Sequence, residues 1–214
     1  MRLRITPTRA FLWATFLTPL VLLGGYFARS AKIQPLRPQT GIVSQNGQMM
    51  ASRQVAEDGK EMLWVYPAGM SSSLWIMELP FNSPVALSPD GRYLITGESE
   101  RDPLLGFPTP PLDYTLACRD TTTRGSVWKR LEQVNDATTP LGANAVTVSP
   151  DSSLVAVAVV EGIRVYSLHT GEFVRFINTA PNNLDPDVQL RFSPDGHTLT
   201  ATQASGTREF EMRF

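Results

Sequence analysis

Short apolar, β-branched runs alternate along this chain with tight polar turns. Val85-Ala86-Leu87 and Tyr93-Leu94-Ile95-Thr96 flank one turn, Ala145 to Val148 and Leu154 to Val160 a second, Val188-Gln189-Leu190 and Thr198-Leu199-Thr200 a third. Runs of this length bounded by turn residues predict strands joined as antiparallel hairpins. The turns read Ser88-Pro89-Asp90-Gly91, Ser149-Pro150-Asp151-Ser152 and Ser193-Pro194-Asp195-Gly196, with a worn copy at Ser44-Gln45-Asn46-Gly47. Proline presets φ near about −65°, Asp hydrogen-bonds nearby backbone, and glycine accepts the positive φ that follows. The four serines are 44, 61 and 44 residues apart. A 44-residue unit falls in the range of a four-stranded propeller blade. The pattern therefore predicts an all-β fold: a β-propeller-like array of about four four-stranded blades over residues 41–214.

Unit one starts near Gly41, with later strands at Gln48 to Arg53, Met62 to Tyr66 and Leu74 to Leu79. Trp64 and Trp75 are read as bulk for packing between blades. Unit two begins at Val85, and its strands resume at Tyr114 to Cys118 and Ser126 to Leu131. It is 17 residues longer than 44, an excess placed mainly at residues 98–113, ESERDPLLGFPTPPLD. Four prolines and mixed charge make this an inserted loop. Unit three continues with Ile163 to Tyr166 and Glu172 to Ile177. Unit four has Val188 to Phe192, Thr198 to Gln203 and Thr207 to Phe214, and lacks a fourth strand. An open sheet edge is an aggregation hazard. Residues 29–40 are read as a linker, with Lys32 to Leu36 as a closing strand beside Thr207 to Phe214. Pro35 is tolerated on an outermost strand. Two copies completing an eight-bladed ring, or a longer parent chain, are the alternatives for a four-blade array.

The N-terminus changes the picture. After a basic tail over residues 1–10, Phe11 to Ala28 is an eighteen-residue run without a charged side chain, preceded by Arg2, Arg4 and Arg9. As a helix it rises roughly 27 Å, close to the roughly 30 Å of a bilayer core. It is read as a transmembrane anchor, with a cleaved signal peptide as the alternative. The positive flanks barely decide orientation, and default export puts the propeller outside the cytoplasm.

Charge is uneven: residues 1–56 hold seven Lys/Arg and no acid, residues 57–214 twelve basic and twenty acidic residues. A mildly acidic body lacks the cationic footprint that phosphate requires, so no nucleic-acid partner is expected. One cysteine, Cys118, excludes an intramolecular disulfide. His169 and His197, the only histidines, sit in or beside turns without zinc spacing partners. Asp90, Asp151 and Asp195 are turn residues rather than a catalytic set. Asp185-Pro186-Asp187 lacks the glycine-bearing loop of common calcium sites. No catalytic residue, metal or cofactor is expected, and the chain is read as a non-enzyme.

Ile163-Arg164-Val165-Tyr166-Ser167-Leu168-His169-Thr170-Gly171-Glu172-Phe173-Val174 resembles the third-to-fourth strand passage of a WD-repeat β-propeller. Tyr166-Ser167 stands where the family has its Trp-Asp pair, and the opening Gly-His pair is missing. TolB-like and quinoprotein-like propeller repeats share the Ser-Pro-Asp-Gly turn. In WD-repeat propellers the loop between second and third strands lies on the face that commonly meets partners. The resemblance thus implies a membrane-anchored or exported interaction module presenting residues 98–113 to a protein partner. Arg101, Leu104, Leu105, Phe107 and Pro110 are its candidate contact residues. The alternative is a propeller enzyme of hydrolase or quinoprotein type acting at a central channel.

Overall fold

The computed structural model describes residues 40–80, 83–99, 114–132, 142–180 and 183–212, all within the unit Pro38–Phe214. They form fifteen strands in four antiparallel sheets, each running outward from its first strand. Blade one is β1 (Thr40–Val43), β2 (Met49–Val55), β3 (Glu61–Pro67) and β4 (Trp75–Leu79). Blade two is β5 (Val85–Leu87), β6 (Tyr93–Ser99), β7 (Tyr114–Asp120) and β8 (Ser126–Glu132). Blade three is β9 (Ala145–Val148), β10 (Leu154–Val159), β11 (Gly162–Ser167) and β12 (Phe173–Asn178). Blade four has three described strands, β13 (Gln189–Phe192), β14 (Thr198–Gln203) and β15 (Gly206–Glu211). Residues 1–39, with the expected apolar helix and closing strand, lie outside the described residues. Among the described residues no helix is long and apolar enough to cross a membrane.

The repeated turn is held by its serine as much as by its Pro-Asp-Gly. In all four copies the serine hydroxyl donates to the side chain two residues on, at 2.7 Å from Ser44 to Asn46 and 2.5 Å in the other three. The same oxygen accepts the amide five residues on: Met49, Tyr93, Leu154 and Thr198, at 2.9–3.0 Å. The clip satisfies the first amide of each second strand and fixes its register. Gly47, Gly91 and Gly196 take φ of 69°, 74° and 74°, and Ser152 adopts 58° in their place.

These clips carry a pH dependence. The Ser193 hydroxyl and the His197 amide hold the Asp195 carboxyl below its usual value. Burial acts to raise Asp151, but the hydroxyls of Ser149 and Ser153 outweigh it and lower it. In the β7–β8 turn, the Thr123 and Thr122 amides lower Asp120. All three release their protons more readily folded than unfolded. Their stabilisation is therefore complete above the unfolded carboxylate pKa of about 3.9 and is lost as pH falls through the lower folded values. Tm is expected to be flat from about pH 7 to 5 and to drop below about pH 4. A double Asp151→Asn, Asp195→Asn variant should start less stable and show a shallower acid drop in a calorimetric pH series.

Three apolar cores join the blades in sequence. Ala51, Leu63 and Val65 of blade one meet Val85, Leu87 and Leu94 of blade two. Ile95, Leu116 and Cys118 meet Val155, Val157 and Tyr166 of blade three. Ala156, Ile163 and Val165 meet Phe192, Leu199 and Met212 of blade four. No fourth core joins blade four to blade one among the described residues. The pairing registers set blade four apart from the other three. In blades one to three the face turned toward the following blade carries the apolar core. In blade four that face presents Thr198, Thr200 and Thr202 opposite Glu211, Glu209 and Thr207.

Trp75 and Trp128 occupy equivalent places on the outermost strands, opposite Val65 and Cys118. Each indole N–H donates to a backbone carbonyl of the next blade, Trp75 to Thr121 at 2.7 Å and Trp128 to Leu168 at 2.6 Å. Each acceptor directly follows its blade's third strand. Trp64, paired with Ser52 in register, points to the opposite face from Val65 and takes no part in the joint with blade two.

Candidate functional site

The insertion is shorter than expected, because Glu98 and Ser99 belong to β6, opposite Thr115 and Tyr114. Glu98 is fixed there by Arg119, whose guanidinium lies 3.2 Å away and also donates to Thr96. A charge cluster in sequence thus conceals the last rung of a strand. Arg101, Leu104, Leu105, Phe107 and Pro110 lie outside the described residues. Their anchor is described: Ser99, Tyr114 and Glu132 share one rung across β6, β7 and β8.

That rung opens onto a cleft of about 420 Å³ between the outer strands of blades two and three, lined by Arg130, Glu132, Glu161, Arg164, Phe173 and Phe176. Glu132 bridges two guanidiniums, Arg130 at 2.9 Å and Arg164 at 2.8 Å. Arg130 also donates to the Gly171 carbonyl at 3.0 Å, and its guanidinium lies 5.6 Å from the centre of the Tyr166 ring. Beneath them the hydroxyls of Tyr114 and Tyr166 stand 3.5 Å apart, both rings fully buried. Burial pushes both phenols above their usual range. Burial alone would lower the Arg164 guanidinium, but Tyr114, Tyr166 and Glu132 beside it outweigh that and raise it. The floor is thus a cationic side chain locked between two phenols and a carboxylate.

The walls are apolar. Phe173 and Phe176 pair opposite Tyr166 and Arg164 in the β11–β12 ladder, yet remain 51% and 41% exposed. Blade two leaves them open because, of the β8 side chains turned toward blade three, only Trp128 adds apolar cover, while Arg130 and Glu132 reach it through the Gly171 carbonyl and Arg164. Two exposed rings beside two anchored guanidiniums can grip an extended peptide: aromatic and arginine side chains carry most of the energy at protein interfaces. Sequence reading missed this site. Its parts come from strands 32 residues apart, as in the Arg164–Glu132 pair, and no local motif unites them.

His169 and His197 are exposed turn residues as expected, the former edge-on to Tyr93 at 5.8 Å. Among the described residues no group of three or more His, Cys, Asp or Glu is placed to hold a metal ion. Cys118 is fully buried in β7, and burial pushes its thiol up to about 12. Since the thiolate is the reactive form, Cys118 is expected to resist iodoacetamide at pH 8 in the folded chain and to react on unfolding. Mass spectrometry across a urea series measures this.

No family model matches the sequence, and no curated protein matches it. Solved structures do. The fold is similar to a chain of the dihydro-heme d1 dehydrogenase NirN in complex with DHE, at 18% identity and TM-score 0.54, covering 81% of this chain and 34% of that one. It is also similar to the β-propeller domain of Myceliophteria thermophila Cps50 (Swd1), at 12% identity and TM-score 0.51, covering 81% and 53%. A chain of the mitotic checkpoint complex matches at 15% identity and TM-score 0.55, covering 81% and 48%. The chain spans from a third to about half the length of these proteins. At such identities the likeness concerns the β-propeller fold alone.

Proposed function

We propose that this protein is an interaction module, an array of diverged WD-repeat-like blades that binds an extended segment of a protein partner in the cleft between blades two and three. The observation that carries this reading is the exposed Phe173–Phe176 pair beside the Arg130–Glu132–Arg164 bridge. A rigid, fully satisfied polar floor orients a peptide, and the two rings supply apolar anchors that water otherwise covers. The inserted loop leaves and re-enters the fold on the Glu132 rung, beside this cleft. Residues 11–28 tether the module to a membrane or direct its export, placing the cleft on the extracytoplasmic side.

The test is affinity purification of the full chain from native membranes, beside a Phe173→Ser, Phe176→Ser variant. Both rings are about half exposed and Phe173 lies edge-on to Tyr166, so the variant loses some stability but stays folded, which its Tm checks. A stoichiometric partner should accompany the unaltered chain and fall about tenfold in the variant, a loss on the scale of one interface anchor. Equal recovery of the partner with both chains, or no partner with either, would refute the reading.

A further inference from the structure

The cleft also dictates the kind of residue its partner places there, an inference that rests on the reading above and deepens it. Four charged side chains line it, and they are unevenly matched. Arg130 and Arg164 are both committed to Glu132, one to each carboxylate oxygen. Arg130 donates further to the Gly171 carbonyl, and Arg164 stands beside the two buried phenols. Glu161 is the other carboxylate of the lining. Its side chain has no hydrogen bond or ion pair among the described residues, since both guanidiniums of the cleft are taken.

The backbone sets that carboxylate beside a ring. Glu161 lies in the turn between β10 and β11, where its carbonyl accepts the Thr179 amide at 3.1 Å. Phe176 pairs with Arg164 in the ladder, and its ring leans toward this turn. A Cβ on Gly162 would lie 2.8 Å from the Phe176 Cζ. Only glycine leaves room for the ring there, one residue from Glu161. Phe173 stands edge-on to Tyr166 with ring centres 5.9 Å apart. The face of an aromatic ring carries negative potential and attracts a cation within about 6 Å of its centre. A half-exposed ring next to a carboxylate therefore favours a cation. An anion would compete with Glu132 for the same guanidiniums and be repelled by Glu161.

We propose that the partner segment bound in the cleft carries a lysine or arginine, whose cation lies between the Phe176 ring and the Glu161 carboxylate. Such a side chain has an apolar stem and a charged head. The stem covers the aromatic wall and the head supplies the charge that the lining lacks. The polar bridge of Arg130, Glu132 and Arg164 stays intact beneath it, because the incoming cation takes the one carboxylate that the bridge does not use.

The test uses the full chain and three peptides blocked at both ends, Gly-Ser-Leu-X-Leu-Ser-Gly with Lys, Gln or Glu at X. Titration followed by NMR should rank the Lys peptide above the Gln peptide by about fivefold and above the Glu peptide by about tenfold. Glu161→Gln removes only the charge and should narrow the Lys-over-Gln preference to about twofold, the share of the ring. Glu161→Lys should reverse the order and prefer the Glu peptide, which a misfolded variant would not do. The Phe173→Ser, Phe176→Ser variant should weaken all three. Equal affinity of the unaltered chain for the three peptides, or a preference for Glu, overturns the cation proposal; if the serine variant still weakens them, the cleft reading stands. Binding that the serine variant leaves unchanged, or no binding of any peptide, overturns both.

Discussion

Trp75→Ala is expected to lower the free energy of unfolding by about 3–5 kcal/mol, the range for removing a large buried aromatic side chain. Trp75 is 7% exposed and packs in the core between blades one and two. Its removal costs packing and also leaves the Thr121 carbonyl without its indole donor. Trp75→Phe retains most of the packing and should cost about half as much, which separates the two contributions. In an array each joint contributes its own interface energy. Urea unfolding followed by hydrogen exchange should therefore show blade one opening before blades three and four in the alanine variant, and all blades opening together in the parent.

Glu132→Ala is the second large effect, expected at about 2 kcal/mol, less than for a fully buried pair because water reaches the cleft. The Glu132 and Arg164 side chains are 12% and 18% exposed. Without the carboxylate, Arg164 stays beside the buried Tyr114 and Tyr166 with no countercharge, and Arg130 loses one of its two anchors. Glu132→Gln keeps the shape and two polar contacts and should recover part of the loss. Partner binding should weaken more in the alanine variant than stability alone explains, because the cleft floor loses its fixed geometry. Thermal denaturation and copurification of the same preparations measure the two effects together.

The architecture was legible because its cause is local. A serine, a turn and an amide five residues on make one closed hydrogen-bonded unit, and its return at residues 44, 88, 149 and 193 marks the start of each sheet. The serine's part was not legible, since Pro-Asp-Gly alone accounts for a tight turn. The insertion boundary was misread at Glu98 and Ser99 because a polar strand end looks like a loop until its partner Arg119 is in place. Bulk alone does not say which joint a tryptophan serves; period-two alternation turns Trp64 to the opposite face from Val65. The polar face of blade four was present in Thr198, Thr200, Thr202 and Glu209, but its meaning requires knowing which face of each blade meets the next. The cleft had no sequence signal, because it arises only when β8 and β12 are brought side by side.

Photo-crosslinking in native membranes tests the central claim most directly. A photoreactive phenylalanine is placed at Phe176 in the cleft wall, or at Val127 on the opposite face of β8, where 41% exposure makes a matched control. The cleft reading predicts a crosslink from position 176 to a segment of one partner polypeptide, and none from position 127. Crosslinks of equal yield from both positions, or none from 176, would contradict it.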